Sequence, residues 1–419
     1  MKESAIPFNR MEESVSGDFE LQVALVLLCA AVLWRLFMSD KTEYRICTNC
    51  VMDDSDPEIT FDESGVCNHC RAFDSVTRKN WFPNEEGRVR WSGILEKVRK
   101  AGHGKEYDCI LGLSGGVDSS YVALKMRDWG LRPLVVHVDA GWNSELAVAN
   151  IEKIVKHCNF DLHTYVVDWE EMRDLQLAYL RAGIANQDVP QDHVFFASLY
   201  HFATRNGIQY ILSGGNIATE GIFPTAWHGS AMDSINLKAI HRRYGERPLK
   251  TYSTISFFEG YIWYPFIKKM RTLRPLNYMP YNKADAIAEL ERTIGWRSYG
   301  RKHGESLFTK LFQNHYLPTK FGYDKRRPHL SSLIVSGQMT REQALAELDR
   351  PLYDPQDLEI DIAYFCKKLR ITRAQFDRFM SESSHHYTDF PTWERHYQLL
   401  KRAQQLVQSL SGRRINIYS

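Results

Sequence analysis

Residues 109–121 read CILGLSGGVDSSY, an apolar run that breaks at two glycines and continues into a helical pattern. A run of this length is a short buried strand, and glycine supplies the positive φ that a tight strand-to-helix turn demands. Serine caps the helix that follows. The backbone N–H groups at such a helix start are unsatisfied and carry the positive end of the helix dipole, so the turn is suited to wrap a phosphate. A strand that feeds a helix in this way points to an α/β chain.

The alternation continues. Residues 134–138 read as a second strand, 144–158 as a helix, 162–167 as a third strand, 195–205 as a helix and 209–212 as a fourth strand. That fourth strand ends in a second glycine turn, Ser213-Gly214-Gly215-Asn216. Strands alternating with helices imply a parallel sheet covered on both faces, whose ligands gather outside the carboxyl ends of the strands. Both glycine turns fall on that edge.

Ahead of this core stand two CxxC pairs, Cys47 with Cys50 and Cys67 with Cys70, separated by sixteen residues. The spacing suits a tetrahedral four-cysteine site in which the intervening residues form a hairpin. Structural Zn2+ is the expected occupant, and an iron–sulfur cluster or a redox pair is the alternative. Four protein ligands leave no open position, so the metal should fold the knot and take no part in catalysis. His69, inside the second pair, is expected to face solvent. Eight cysteines in 419 residues are too sparse for a disulfide scaffold, which suggests a reducing, cytoplasmic setting.

Composition is that of a globular protein, 44% hydrophobic and 25% charged. The net charge of +2 conceals segregation: residues 241–329 hold eighteen Lys or Arg against seven Asp or Glu, a balance of +11 that leaves −9 elsewhere. Cations interleaved with aromatics suit a diphosphate or nucleotide partner. Lys320, Lys325, Arg326 and Arg327 are the candidate phosphate contacts, with Trp227, His228 and His303 as weaker candidates. Near the start, residues 23–34 form an apolar run of twelve, short of the roughly twenty a membrane helix needs. Residues 1–37 read as an upstream extension or marginal apolar segment, with Met38 an alternative start, and no membrane association is expected.

The loop SGGVDS, Ser114 to Ser119, resembles the SGGxDS loop of the PP-loop ATP pyrophosphatases. Three collinear stretches, VMDDSDPEITFDESGVCNHC, LGLSGGVDSSYVALK and YLPTKFGYDKRRPHLSSLIVSGQMTREQALAEL, together resemble the N-acetyl sugar amidotransferases of the WbpG or PseA type. The resemblance runs from residue 44 to the C-terminus and departs from the family pattern at Asp54, where threonine or serine is usual. It implies an α/β fold with a parallel-sheet HUP-like (adenine nucleotide alpha hydrolase-like) PP-loop core, an N-terminal four-cysteine zinc knot and a helical C-terminal region. The expected divisions are the knot at 44–75, the ATP pyrophosphatase domain at 100–235 and a basic, substrate-binding and helical region at 236–419.

By the same resemblance, Ser114, Gly115, Gly116 and Ser119 would hold the pyrophosphate of ATP and Asp118 would act through Mg2+. Adenine would lie against His137, Val138 and Asp139, and Ser213, Gly214, Gly215 and Asn216 near the α-phosphate. Asp118, Ser119, Lys320 and Arg326 are the expected catalytic residues. The implied reaction adenylates the acetamido oxygen of a nucleotide-linked sugar, after which ammonia displaces AMP and leaves an acetamidino group, a step of surface-polysaccharide (LPS O-antigen or related glycan) assembly. Cys29, Cys109, Cys158 and Cys366 lack the setting of a glutaminase nucleophile. A separate glutaminase with an ammonia-channel subunit, similar to the pair serving imidazole glycerol phosphate synthase, is therefore the expected partner, and no nucleic acid. The alternative is a tRNA-thiolating PP-loop enzyme, which generally requires catalytic cysteines or a cluster near the ATP loop.

Overall fold

The computed structural model describes residues 44–411 except His228 and residues 300–305. The expectations for residues 1–37, and for His228 and His303, lie outside the described residues. Five strands form one sheet: β1 (Cys109–Gly112), β2 (Pro133–Asp139), β3 (Asp161–Val166), β4 (Tyr210–Leu212) and β5 (Arg271–Leu273). Their order is β3-β2-β1-β4-β5, and every pairing is parallel. The order reverses at β1, so the loop after β1 stands at the switch point of the sheet.

Side chains alternate across this sheet as its pleat requires. Ile110, Val136, Val138 and Ile211 enter one buried cluster, while Cys109, Leu111, Val135 and Leu212 enter another. Helices cover the faces: Val117–Asp128, Glu145–Cys158, Trp169–Ala182 and Val189–Arg205. Ser144 caps the second of these by accepting from Ala147 N, which fixes its start.

The α/β sheet, the cysteine knot ahead of it and the helical C-terminal region are as the sequence leads one to expect. Two elements are not. Trp169–Ala182 is a fourteen-residue helix whose amphipathic pattern is blurred by buried Glu171, Asp174 and Gln176. Strand β5 comes from beyond residue 235, inside the basic stretch, and its three residues carry no readable period. Helix Val189–Arg205 also starts six residues earlier than the reading from 195, because the polar run PQDH hides a start that Pro190 marks.

After the sheet the chain is helical, with Arg326–Val335, Arg341–Leu348, Pro355–Leu369, Arg373–Ser381 and Glu394–Ser411. Thr340 with Gln343 and Thr372 with Gln375 form complete capping boxes. Among the described residues no helix is long and apolar enough to cross a membrane.

His193 makes a testable feature of the core. Its Nδ1 lies 2.9 Å from Ala231 O, and its Nε2 accepts from Ile255 N at 3.1 Å. That pairing needs a neutral ring, and burial holds the pKa down to about 4 from an ordinary 6.5. The stability this neutral ring contributes is complete above pH 6.5 and declines as pH falls toward 4, because the unfolded chain then binds the proton first. Urea unfolding from pH 7 to pH 4.5 should show a loss approaching 3 kcal/mol at the acid end that His193→Gln lacks.

Candidate functional site at the carboxyl edge of the sheet

Residues 114–119 make the turn out of β1. Gly115 has φ +83°, and a Cβ there would lie 2.8 Å from Ala147 O, so the position accepts only glycine. Gly116 is the N-cap of helix Val117–Asp128 and brings no side chain to cap it. The helix start is therefore open to an external acceptor. The two hydroxyls close on each other, Ser114 Oγ to Ser119 Oγ at 3.2 Å, and Gly116 N donates to Ser114 Oγ at 3.3 Å.

The second glycine turn packs directly on the first. A Cβ on Gly214 would stand 2.7 Å from both Asp118 C and Ser119 N, so the SGGN turn touches the loop only because residue 214 is glycine. Asn216, buried, donates from Nδ2 to Asp118 Oδ1 at 3.4 Å and caps the following turn by accepting from Thr219 N. Tyr281 OH donates to the same Asp118 oxygen. Burial, with Asp118 adding to it, holds the Tyr281 phenol far above its ordinary pKa, so it remains a donor. The structure thus brings Ser114, Gly115, Gly116, Asp118, Ser119, Ser213, Gly214, Gly215 and Asn216 together.

Three residues that hold this site were missed from sequence. Trp296 Nε1 and Tyr299 OH both donate to Gly115 O, at 3.1 and 2.9 Å, and Tyr281 fixes Asp118. All three lie in the basic stretch, where aromatics alternating with cations were the available signal. Asp192 lies near the start of helix Val189–Arg205. Burial pushes its carboxyl up to about 8, with Asp188 and Glu220 adding and Lys325 opposing. Glu220 also acts on Tyr281 and lies 3.6 Å from where a Gly215 Cβ would be.

The second-strand residues are placed differently from one another. His137 is buried, its Nδ1 2.9 Å from Leu113 O and its Nε2 3.0 Å from Asn143 Nδ2. Val138 belongs to the core. Only Asp139, whose Oδ1 accepts from Gly141 N and Asn143 Nδ2, carries a polar group at the strand's end. Any nucleotide contact at His137 and Val138 is therefore to backbone.

The cationic candidates are engaged with the protein's own groups. Lys320 Nζ donates to the carbonyls of Phe379 and Glu382, each at 2.6 Å, and closes the end of helix Arg373–Ser381. Arg326 grips Asp324 and donates to the carbonyls of Glu347, Leu348 and Arg350 at the end of helix Arg341–Leu348. Arg327 pairs with Asp53 and donates to Val51 O, tying the knot to the helical region. Lys325 is buried, with its ammonium 4.7 Å from the Phe223 ring centroid. Trp227 is buried too, stacked on Tyr323 at 4.6 Å. Helix ends attract cations, and an Arg/Lys-rich stretch of helical sequence has several ends to serve. Replacing Lys320 or Arg326 by alanine should cost about 1–3 kcal/mol in urea unfolding while turnover per folded molecule is kept; loss of turnover at full stability would restore their catalytic assignment.

The four-cysteine knot is formed. All four Sγ atoms are buried and lie within 4.8 Å of one another. Backbone N–H groups of Cys50, Met52, Cys67 and Cys70 point at the sulfurs, as does Asn49 Nδ2. This donor set fits a thiolate-held metal. His69 does not face solvent: its Nε2 lies 2.6 Å from the buried Asp56 carboxylate, so it braces the hairpin. The knot packs against Ile222, Ala226 and Trp227, just past the SGGN turn, and Arg341 donates to the carbonyls of Cys47 and Cys50. It is a buttress for the site's flank.

The comparisons with known proteins come down to one family and several distant structures. None of the curated proteins matches the chain. Among solved structures the chain is similar to an NH3-dependent NAD synthetase from Campylobacter jejuni subsp. jejuni in complex with nitrate ion, at 14% identity over 70% of this chain and 98% of that one, TM-score 0.30. It is also similar to an NMN synthetase from Francisella tularensis, at 13% identity over 52% and 96%, TM-score 0.27. A predicted subunit of tRNA methyltransferase from Methanocaldococcus jannaschii matches at 14% identity over 44% and 75%, TM-score 0.26. Likenesses this weak carry no argument, and the fold stands on the sheet order and the two glycine turns. Residues 305–404, from within the basic stretch into the last helix, match the family described as LPS biosynthesis protein WbpG-like, C-terminal domain. That segment, whose cations cap helices and anchor the knot, is similar to the C-terminal domain of WbpG-like LPS biosynthesis proteins.

Proposed function

We propose that the chain is an ATP-dependent amidotransferase that converts the N-acetyl group of a nucleotide-linked sugar to an acetamidino group. The observation that carries this reading is the contact of the two glycine turns at the carboxyl edge, with Asp118 fixed between Asn216 and Tyr281. The open helix start at Gly116 supplies N–H donors for the departing diphosphate. Asp118 is the residue that would hold Mg2+, which screens the phosphate charge as the α–β bond breaks.

The acetamido oxygen attacks the α-phosphorus, pyrophosphate leaves, and the oxygen becomes part of an AMP ester. Ammonia then adds to the activated carbon, a proton is lost, and AMP departs with the former amide oxygen. The thiolation reading has little support in the described cysteines: burial raises the thiol pKa of Cys109 and Cys366, and that of Cys158 to about 12. With no glutaminase nucleophile among them, ammonia would come from a separate glutaminase and its channel subunit.

The test is a product assay. Purified chain with ATP, a UDP-N-acetylated sugar and ammonium salt should release AMP and pyrophosphate in step with amidine, and glutamine alone should give none. ADP with inorganic phosphate would reject the reading, and turnover on glutamine alone would reject the partner.

A further inference from the structure

The π-helical segment Glu259–Ile267 reads EGYIWYPFI and shows the solvent an unusual set of side chains. Phe258 is 57% exposed, Trp263 37%, Phe266 47% and Ile267 57%. Large apolar residues scattered singly need no explanation, but four within ten residues do. The segment is not loose. Tyr264 is buried and stacks on Tyr200 at 4.8 Å, Met270 N donates to Tyr264 O at 2.8 Å, and the next residues run into β5. Its backbone is mounted on the sheet edge while Trp263, Phe266 and Ile267 face outward.

The charges beside it are of one sign. Residues 268–274 read KKMRTLR, with Lys268, Lys269, Arg271 and Arg274 exposed and no acid among them. The Glu259 carboxylate, within the segment, accepts from Ser256 N and Oγ. Lys268 Nζ sits 5.5 Å from the Trp263 ring centroid, so cation and aromatic share one spot. Tyr261 packs on Trp393 and Tyr397 and joins this surface to helix Glu394–Ser411. On that helix Leu399, Leu406 and Val407 are exposed, as are Lys401 and Arg402.

We propose that this surface docks the protein on an anionic lipid bilayer, with Trp263, Phe266 and Ile267 entering the headgroup boundary and Lys268, Lys269 and Arg271 meeting lipid phosphates. Tryptophan and phenylalanine on a rigid mount beside a run of cations satisfy both requirements of a peripheral membrane surface, apolar anchoring and charge attraction. A protein partner would have to match the basic run 268–274 with acidic groups of its own; an anionic bilayer does so by composition. The inference is independent of the amidotransferase reading and differs from the expectation of no membrane association, which concerned a spanning segment.

Flotation of the full chain with phosphatidylcholine vesicles, with and without phosphatidylglycerol, tests it. Binding is expected only to the anionic vesicles and should weaken as salt is added. Changing Trp263, Phe266 and Ile267 together to serine should lower the bound-to-free ratio at least about tenfold. Lys268→Glu with Lys269→Glu should do the same, and removal of residues 1–37 should leave binding intact. These side chains are exposed, so unchanged thermal unfolding of each variant checks that the fold is kept. Absence of binding, binding indifferent to the triple change, or loss on removing residues 1–37 alone would overturn the proposal. So would a self-association in sedimentation that the triple change abolishes, since a second copy would then be the occupant.

Discussion

Replacing Asp118 with alanine should slow AMP formation by about 10^3-fold, the largest effect of any single change at the carboxyl edge. The carboxylate is the one acid that both glycine turns address: it follows Gly116 in the first, lies against Gly214 of the second, and accepts from Asn216 and Tyr281. Its removal would take away the proposed Mg2+ ligand and leaves the mostly buried Tyr281 hydroxyl without this acceptor, which costs about 1–3 kcal/mol in stability. Asp118→Asn separates the two consequences. The amide keeps an acceptor for Tyr281 but lacks the charge, so unfolding should be near that of the parent while AMP release stays depressed. Single-turnover release of AMP and pyrophosphate, measured beside urea unfolding, reads both. An Asp118→Ala chain that turns over at the parent rate would remove the proposed function.

The second large effect belongs to the knot. Cys67→Ser, or stripping with a strong chelator, should unfold residues 46–75 and lower the melting temperature, because a metal held by four thiolates contributes folding energy on the order of 10 kcal/mol. The consequence should reach the site. The cysteine cluster packs on Ile222, Ala226 and Trp227, and Ile222 N donates to Ser332 Oγ, so the chain leaving the SGGN turn loses one wall when the knot opens. Metal content by elemental analysis should be one Zn2+ per chain, and two or four irons instead would replace zinc by a cluster. A chain that keeps its melting temperature without any metal would show that the four sulfurs are only packed together.

Much of the architecture could be read in advance, for reasons that are local. The run 109–113 is apolar without interruption and 134–138 is apolar but for His137, because each strand is buried on both faces, and such runs stand out at any resolution of reading. Thr340 and Thr372 announce helix starts through side chains that bond within three residues. CxxC pairs announce a ligand set because the spacing itself makes the turn. The limits of such a reading also have a common cause. Lys320, Arg326 and Arg327 were read as phosphate contacts on charge alone, and a cation that serves a carbonyl at the end of another helix has the same local sequence as one that serves a phosphate. The exposed Leu399, Leu406 and Val407 show the same limit, since periodicity shows that a helix has an apolar face but not what covers it.

By itself, the sequence determined the strand-turn-helix alternation, the glycine positions at which no other residue is tolerated, the thiolate set and the helix caps. These depend on φ preference, on hydrogen bonds a few residues long and on the spacing of apolar groups, all of which are written within one segment of chain. Only the tertiary structure decided that Gly214 meets Asp118, that Tyr281, Trp296 and Tyr299 clamp the loop from more than 160 residues away, and that β5 completes the sheet from within the basic stretch. Those contacts follow from how helices and strands stack, and the free energy that selects one stacking over another is spread across the whole core.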